Sequence, residues 1–196
     1  MAGIYIHVPF CKTRCIYCDF YSTTQSERKG HYIEALCKEL EMRYTYLKGE
    51  PIETLYFGGG TPSQLDEEDF RKVFDTVRRV YGMENCHEIT LEANPDDLCP
   101  EYVQMLSRLP FNRISMGIQT FDDATLTLLK RRHNATQAIR AVELCRTYGF
   151  RNISIDLIYG LPGETAECWE RDLQQAVALN VELSLIHISE PTRPEP

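Results

Sequence analysis

The chain has 196 residues, 43% of them apolar and 26% charged, so it can bury a full core and is not a disordered segment. Its 29 acidic and 21 basic side chains give a formal net charge of −8, which excludes a general nucleic-acid surface but allows a local basic pocket. No apolar run approaches the roughly 18 residues of a membrane span, and residues 1–7 lack the basic-then-apolar order of a secretory signal.

Short β-branched runs alternate with longer amphipathic stretches. Residues 4–8 read as a strand, and a cysteine-rich loop follows it. Apolar side chains at Tyr32, Ile33, Leu36, Leu40 and Tyr44 predict a helix over 26–47. Residues 54–57 form a second predicted strand that runs into Gly58, Gly59 and Gly60. Phe70, Val73, Phe74 and Val77 mark a helix over 66–80. A third strand is expected at 88–91, stopped by Asn94 and Pro95, and Pro100 opens a helix where a missing N–H costs nothing. A fourth strand is expected at 113–116, with helices over 122–130 and 135–148, the latter closed by Gly149. A fifth strand at 153–158, a turn at Gly160 to Gly163, a helix over 165–179 and a possible sixth strand near 181–186 complete the pattern. Units of roughly thirty residues alternating in this way predict a parallel sheet with external helices, either barrel-like or doubly wound.

The last residues break the pattern. Pro191, Pro194 and Pro196 cannot continue a central strand, because each removes a ladder donor. We therefore expect the folded core over 1–183 and a disordered or non-native tail over 184–196, of the kind left by vector or adapter read-through.

Of eight cysteines, Cys37, Cys86, Cys99, Cys145 and Cys168 stand singly, while Cys11, Cys15 and Cys18 crowd together. This distribution fits a reducing, cytoplasmic setting with one metal site better than a disulfide-stapled fold. Three thiolates in a loop that bends back can hold an iron–sulfur cubane and leave its fourth iron open for a ligand. The alternative is zinc, which would need a fourth donor such as His7, Asp19 or Cys37.

Five ordered motifs carry a resemblance beyond the triad: Tyr5 to Cys11, Gly58-Gly59-Gly60-Thr61-Pro62, Glu92-Ala93-Asn94-Pro95, Gly117-Ile118-Gln119, and Asp156 to Gly163. Together with Cys-x3-Cys-x2-Cys after the first strand, they resemble the radical S-adenosylmethionine (SAM) superfamily, in its oxygen-independent coproporphyrinogen III oxidase branch. The resemblance covers nearly everything from Tyr5 to about Asn180. It implies a partial parallel (β/α)6 barrel, incomplete at its C-terminal end, with a [4Fe-4S] cluster on Cys11, Cys15 and Cys18.

Taken alone, the glycine triplet is a tight turn or a close approach to a ligand whose carboxylate its N–H groups could grip. It lacks the Gly-Lys-Ser/Thr ending of a phosphate loop. Glu92, Gln119 and Asp156 fall at strand ends, where α/β barrels build their sites. The resemblance assigns Gly59, Gly60 and Thr61 to the amino-acid end of SAM and adds Glu92, Gln119, Asp156, Tyr5, Tyr17 and Arg131 as further contacts. Arg132 competes with Arg131 for that role, and the spacing from Gln119 selects Arg131. Among the histidines, His7 and His133 are the better haem-ligand candidates, although a lone histidine is more often a packing residue.

Oxidases of the branch carry a further cysteine two residues after the third ligand, where this chain has Phe20. That substitution resembles the HemW-type haem chaperones. It implies haem as cargo, acceptor haemoproteins as partners, the respiratory ones among them, and no coproporphyrinogen decarboxylation. The oxidase reading is the alternative. Such proteins also continue into a domain with a His-Asn-x-x-Tyr-Trp haem motif, which these 196 residues do not contain.

Overall fold

Six parallel strands lie in the sheet in chain order: β1 (Ala2–Val8), β2 (Ile52–Gly59), β3 (Glu88–Ala93), β4 (Arg113–Gln119), β5 (Asn152–Tyr159) and β6 (Leu183–Ile188). The structure, a computed structural model, describes residues 2–188. Between the strands run α1 (Lys29–Met42), α2 (Glu67–Tyr81), α3 (Pro100–Leu106), α4 (Asp123–Leu128), α5 (Ala135–Thr147) and α6 (Ala166–Ala178). Right-handed crossovers in unbroken order place every helix on one face of the sheet. A doubly wound sheet would reverse its order, so the partial (β/α)6 barrel is the architecture, curled into half a barrel.

The helix-facing side of the strands is the core. Ile6, Val8, Leu55, Phe57, Ile89, Leu91, Ile114, Met116, Ile153 and Ile155 are all buried there. Phe57, Phe70, Phe74 and Phe111 meet edge-on or tilted, with ring centroids from 5.0 Å (Phe70–Phe111) to 5.7 Å (Phe57–Phe70). The opposite face is polar: Glu88, Thr90 and Glu92 alternate with the core residues of β3, Arg113 and Ser115 with those of β4, and Ser154 and Asp156 with those of β5.

Helix starts follow their caps. Asp66 accepts from the Asp69 N–H while Asp69 returns the bond, and Asn134 and Gln137 repeat the device on α5. The helix expected over 26–47 is shorter at both ends. It is preceded by a 3-10 turn at Ser26–Arg28 and gives way after Met42 to turns, among them Tyr46 N–H to Arg43 O at 2.8 Å. The Tyr44-Thr45-Tyr46 run has weak helix propensity, and Lys48 and Gly49 both take positive φ, at 52° and 82°. β6 crosses the boundary expected at residue 183: residues 183–188 pair with 154–159 of β5. The rest of the tail expected over 184–196, from residue 189 on, lies outside the described residues.

Removing the ring at the centre of the aromatic cluster should be costly. Phe57→Ala is expected to lower unfolding free energy by about 3–5 kcal/mol, read from the urea midpoint. Tyr46→Ala, on a side chain 75% exposed, should stay within about 0.5 kcal/mol.

Candidate cluster and cofactor site

The cysteine loop leaves β1 at its C-terminal end and is closed at its neck. Cys11 N–H donates to Thr23 O at 2.9 Å and Thr23 N–H to Pro9 O at 2.7 Å, which ties Phe10 to Thr23 as an isolated bridge. His7 Nε2 lies 2.9 Å from Tyr21 O and clamps the outgoing end. Within the loop Cys18 N–H donates to Cys15 O at 3.3 Å.

The three thiols lie near enough to feel one another. Burial pushes the Cys18 thiol up, and negative charge on Cys15 and Cys11 pushes it further, against the pull of Arg131 and a backbone hydrogen bond at Phe20. Among the described residues, no three His, Cys, Asp or Glu side chains converge on a point that could hold a single ion. A mononuclear site draws its donors to one centre. A cubane takes each thiolate on a different iron and needs them spaced apart.

Arg131 is the hub of the site. Its Nη1 points at Cys15 Sγ (3.6 Å) and Tyr17 Oη (3.4 Å), and its Nη2 donates to Asn94 Oδ1 (2.8 Å) and to Gly117 O. Asn94 in turn donates through Nδ2 to Thr61 Oγ1 at 3.3 Å. Tyr17 packs on Leu129, Ile158 and Leu161, and burial raises its phenol. Arg132 faces elsewhere and pairs with Asp96 and Asp97.

A second group stands beside this one on the lumen face. Glu92 accepts from Tyr56 Oη at 2.7 Å and from the Gly59 N–H at 3.0 Å, while Tyr5 stacks on Tyr56 with centroids 5.8 Å apart. Burial raises the Glu92 carboxyl, and its hydrogen bonds oppose the rise. The carboxylate that the glycine N–H groups were expected to grip therefore includes the protein's own.

Gly60 is small for another reason. A Cβ there would stand 2.8 Å from Pro9 O and 2.9 Å from Phe10 O, so this glycine seats the entry to the cysteine loop. Gly59 has φ +111°, and a Cβ would stand 2.6 Å from the His7 ring.

Gln119 ends β4 in the left-handed region, φ 74°, at a register irregularity, and it is buried. Such strain in a non-glycine residue clusters at functional positions. Its amide lies 2.7 Å from where a Cβ on Gly117 would be, next to Arg131. Asp156, in register with Gly117, has a buried Oδ1 without a partner among the described residues. Burial lifts its carboxyl to about 6, with His187, Arg113 and Arg131 pulling down and Glu92 pushing up.

The structure thus gathers Cys15, Tyr17, Thr61, Gln119 and Arg131 on one side and Tyr5, Gly59, Glu92 and Asp156 on the other, with Gly60 beneath the loop. The residue-level expectations did not include Tyr56, Asn94 or Asp97. Asn94 stood in the quoted Glu-Ala-Asn-Pro string, and Tyr56 shares the face of Tyr5. Both histidines named as the better haem-ligand candidates have one ring nitrogen engaged with the protein. His133 is buried with Nε2 3.1 Å from Ile118 O, and burial and the nearby Arg131 lower its imidazole to about 4. His7 closes the loop. Cys37 lies away from the triad with Sγ against Lys72 O.

A parallel half-barrel with a cysteine loop after its first strand and a polar lumen above the strand ends defines an α/β cofactor-binding protein built around a thiolate site. The radical SAM family model matches residues 5–176, and the chain belongs to the radical SAM superfamily. It is 41% identical over 186 residues to the heme chaperone HemW of Bacillus subtilis, spanning 93% of this chain and 48% of that protein. With HemW of Escherichia coli it shares 36% over 180 residues, 91% of this chain and 48% of the relative. The chain thus spans about half the length of these curated relatives. The solved coproporphyrinogen III oxidase HemN of Escherichia coli superposes with TM-score 0.87 at 29% identity, over 96% of this chain and 44% of that one. Superfamily membership implies a [4Fe-4S] cluster and SAM, and the residues present fit them. Three neighbouring thiols stand beside a guanidinium, and the partnerless Asp156 oxygen lies in the wall of a polar lumen.

The raised Asp156 carboxyl has a pH consequence. Its folded value lies above the unfolded one of about 3.9, so the folded state holds a proton that the unfolded state has released. Its contribution to stability is full below about pH 4 and is lost as pH rises through about 6. Asp156→Asn should therefore gain on the parent across that window, by about 1–3 kcal/mol at the top of it. Urea unfolding at a series of pH values checks this, and a gap independent of pH would contradict it.

Proposed function

We propose that the chain is the cluster- and SAM-binding core of a cytoplasmic haem chaperone that receives haem as cargo and passes it to acceptor haemoproteins, the respiratory ones among them. Cys11, Cys15 and Cys18 would hold three irons of a [4Fe-4S] cluster and leave the fourth for SAM. When bound, the pair supplies one-electron reductive cleavage of a sulfonium; the protein supplies orientation and a dry site. Glu92, fixed by Tyr56 and the Gly59 N–H, offers its remaining lone pairs to an ammonium. Thr61, Gln119 and Asp156 offer polar atoms to the rest of the cofactor, with Tyr5 as an aromatic wall. Arg131 holds a positive charge at Cys15 and sets Tyr17 and Asn94 around it.

The observation that carries the chaperone reading is Phe20. It stands two residues after Cys18, 66% exposed beside the cluster loop, where it offers an apolar face and no thiol. The names of the relatives agree with it. Among the described residues no helix is long and apolar enough to cross a membrane, which is consistent with the proposed compartment. The oxidase is the second reading, favoured by the close superposition on HemN.

Anaerobic reconstitution should give about four irons per chain, and Cys11→Ala, Cys15→Ala or Cys18→Ala should each abolish the cluster. Cys37→Ala, on α1, should leave it intact; iron loss there would remove the triad assignment. Titration with haem should shift its Soret band, and reduced protein given SAM and coproporphyrinogen III should release no carbon dioxide. SAM-dependent carbon dioxide release would decide for the oxidase.

A further inference from the structure

We infer that Asp97 is a positioning residue that sets the cysteine loop against the glycine loop and the Arg131 segment, an inference that rests on the cluster reading above. Its carboxylate ends the 3-10 turn Pro95–Asp97 after β3, and the side chain is only 3% exposed. Both oxygens are doubly engaged. Oδ1 accepts from Lys12 Nζ at 2.7 Å and Arg132 Nη2 at 3.1 Å. Oδ2 accepts from Ser63 Oγ at 2.8 Å and Gln64 Nε2 at 2.7 Å.

The partners come from three segments far apart in sequence, and each borders the site. Lys12 follows Cys11, Ser63 lies two residues after Thr61, and Arg132 follows Arg131. Ser63 Oγ also accepts from the Asn94 N–H at 3.3 Å, and the Asn94 side chain joins Thr61 to Arg131. One buried carboxylate thus fixes the relative placement of the thiols, the glycine loop and the guanidinium. Charge accounts for the choice of residue: Asp96 and Asp97 face Lys12 and Arg132, so the group is neutral as a whole. An asparagine at 97 would turn an amide N–H₂ towards existing donors and leave two cations short of an anion.

The test separates loop placement from cluster binding. Arg14 is exposed in the loop, and tryptic cleavage after it reads how often the loop opens. In cluster-free protein, Asp97→Asn and Lys12→Gln should be cut there about tenfold faster than the parent. Lys12→Arg, which keeps the cation, should restore protection. Lys12 is 52% exposed, so its variants report on the loop even if Asp97→Asn fails to fold. After anaerobic reconstitution, Asp97→Asn and Lys12→Gln should hold less than half the parent's iron and show a weakened absorption shoulder. Val73→Ala, a core change away from the loop, should lower the melting temperature without either effect. Equal cleavage rates in parent and Lys12→Gln, or equal iron loss in Val73→Ala, would overturn the positioning role. A parent that takes up no iron would instead overturn the cluster reading and leave cleavage to decide the loop.

Discussion

Among the described residues one face of this sheet has no helix to pack against, and that constraint shapes nearly everything else. A parallel sheet usually buries both faces and reads as continuous apolar runs. Here sequential strand order sends every crossover to the same side, so alternate residues of β3, β4 and β5 must live in a lumen. They are polar, and they satisfy one another: Arg113 donates to Glu88, Thr90 and Ser154 at 3.3–3.5 Å, and Ser154 to Ser115 at 3.1 Å. Towards the C-terminal ends the mutual satisfaction runs out. Among the described residues Asp156 keeps a buried oxygen without a partner, so the lumen offers a place where a polar ligand could complete the hydrogen bonding.

The same end of the barrel must also receive the cysteine loop, and the glycine triplet serves that need first. Gly60 donates its N–H to Val8 O at 2.8 Å and leaves no room for a side chain under Pro9 and Phe10. Gly59 makes space for the His7 ring and gives its N–H to Glu92. The loop is then held from both sides, by His7 against Tyr21 and by Asp97 against Lys12. Cys15 so placed faces Arg131, and a cluster assembled on such a preordered loop, as proposed, would cost less ordering.

Much of this was legible in the sequence, and the exceptions have physical causes. Strand and helix order could be read because β-branched runs and helical apolar spacing are local signals, and caps such as Asp66 with Asp69 lie within a few residues. The cysteine triad, Glu92 and Asp156 stood out by spacing and strand-end position, and Arg131 through the resemblance. Tyr56 and the lumen alternation were present as period-2 polarity in β2 to β5, masked by the apolar half of each strand. Asp97 had no local signal at all: Pro95-Asp96-Asp97 reads as an ordinary turn, and its partners come from segments up to 85 residues away. Helix α1 was read too long because Tyr44 continues the apolar spacing while it stays exposed.

The end of β4 joins backbone strain to the chemistry of a buried histidine. The register slips between Gly117 and Gln119, and Ile118 is left without a partner in the ladder to β5. A bulge of this kind re-aims the next side chain and frees a backbone group. Gln119 takes positive φ there and stays beside Arg131, while the Ile118 carbonyl is met by His133 Nε2. For that contact the imidazole must carry its proton on Nε2, because a carbonyl only accepts. Burial and the neighbouring guanidinium keep the ring neutral. A charged ring would place a second cation against Arg131, with its partnerless Nδ1 turned into a buried donor. The histidine thus belongs to the bulge: it completes the hydrogen bonding of a strained turn that sets Gln119 next to Gly117 and Arg131.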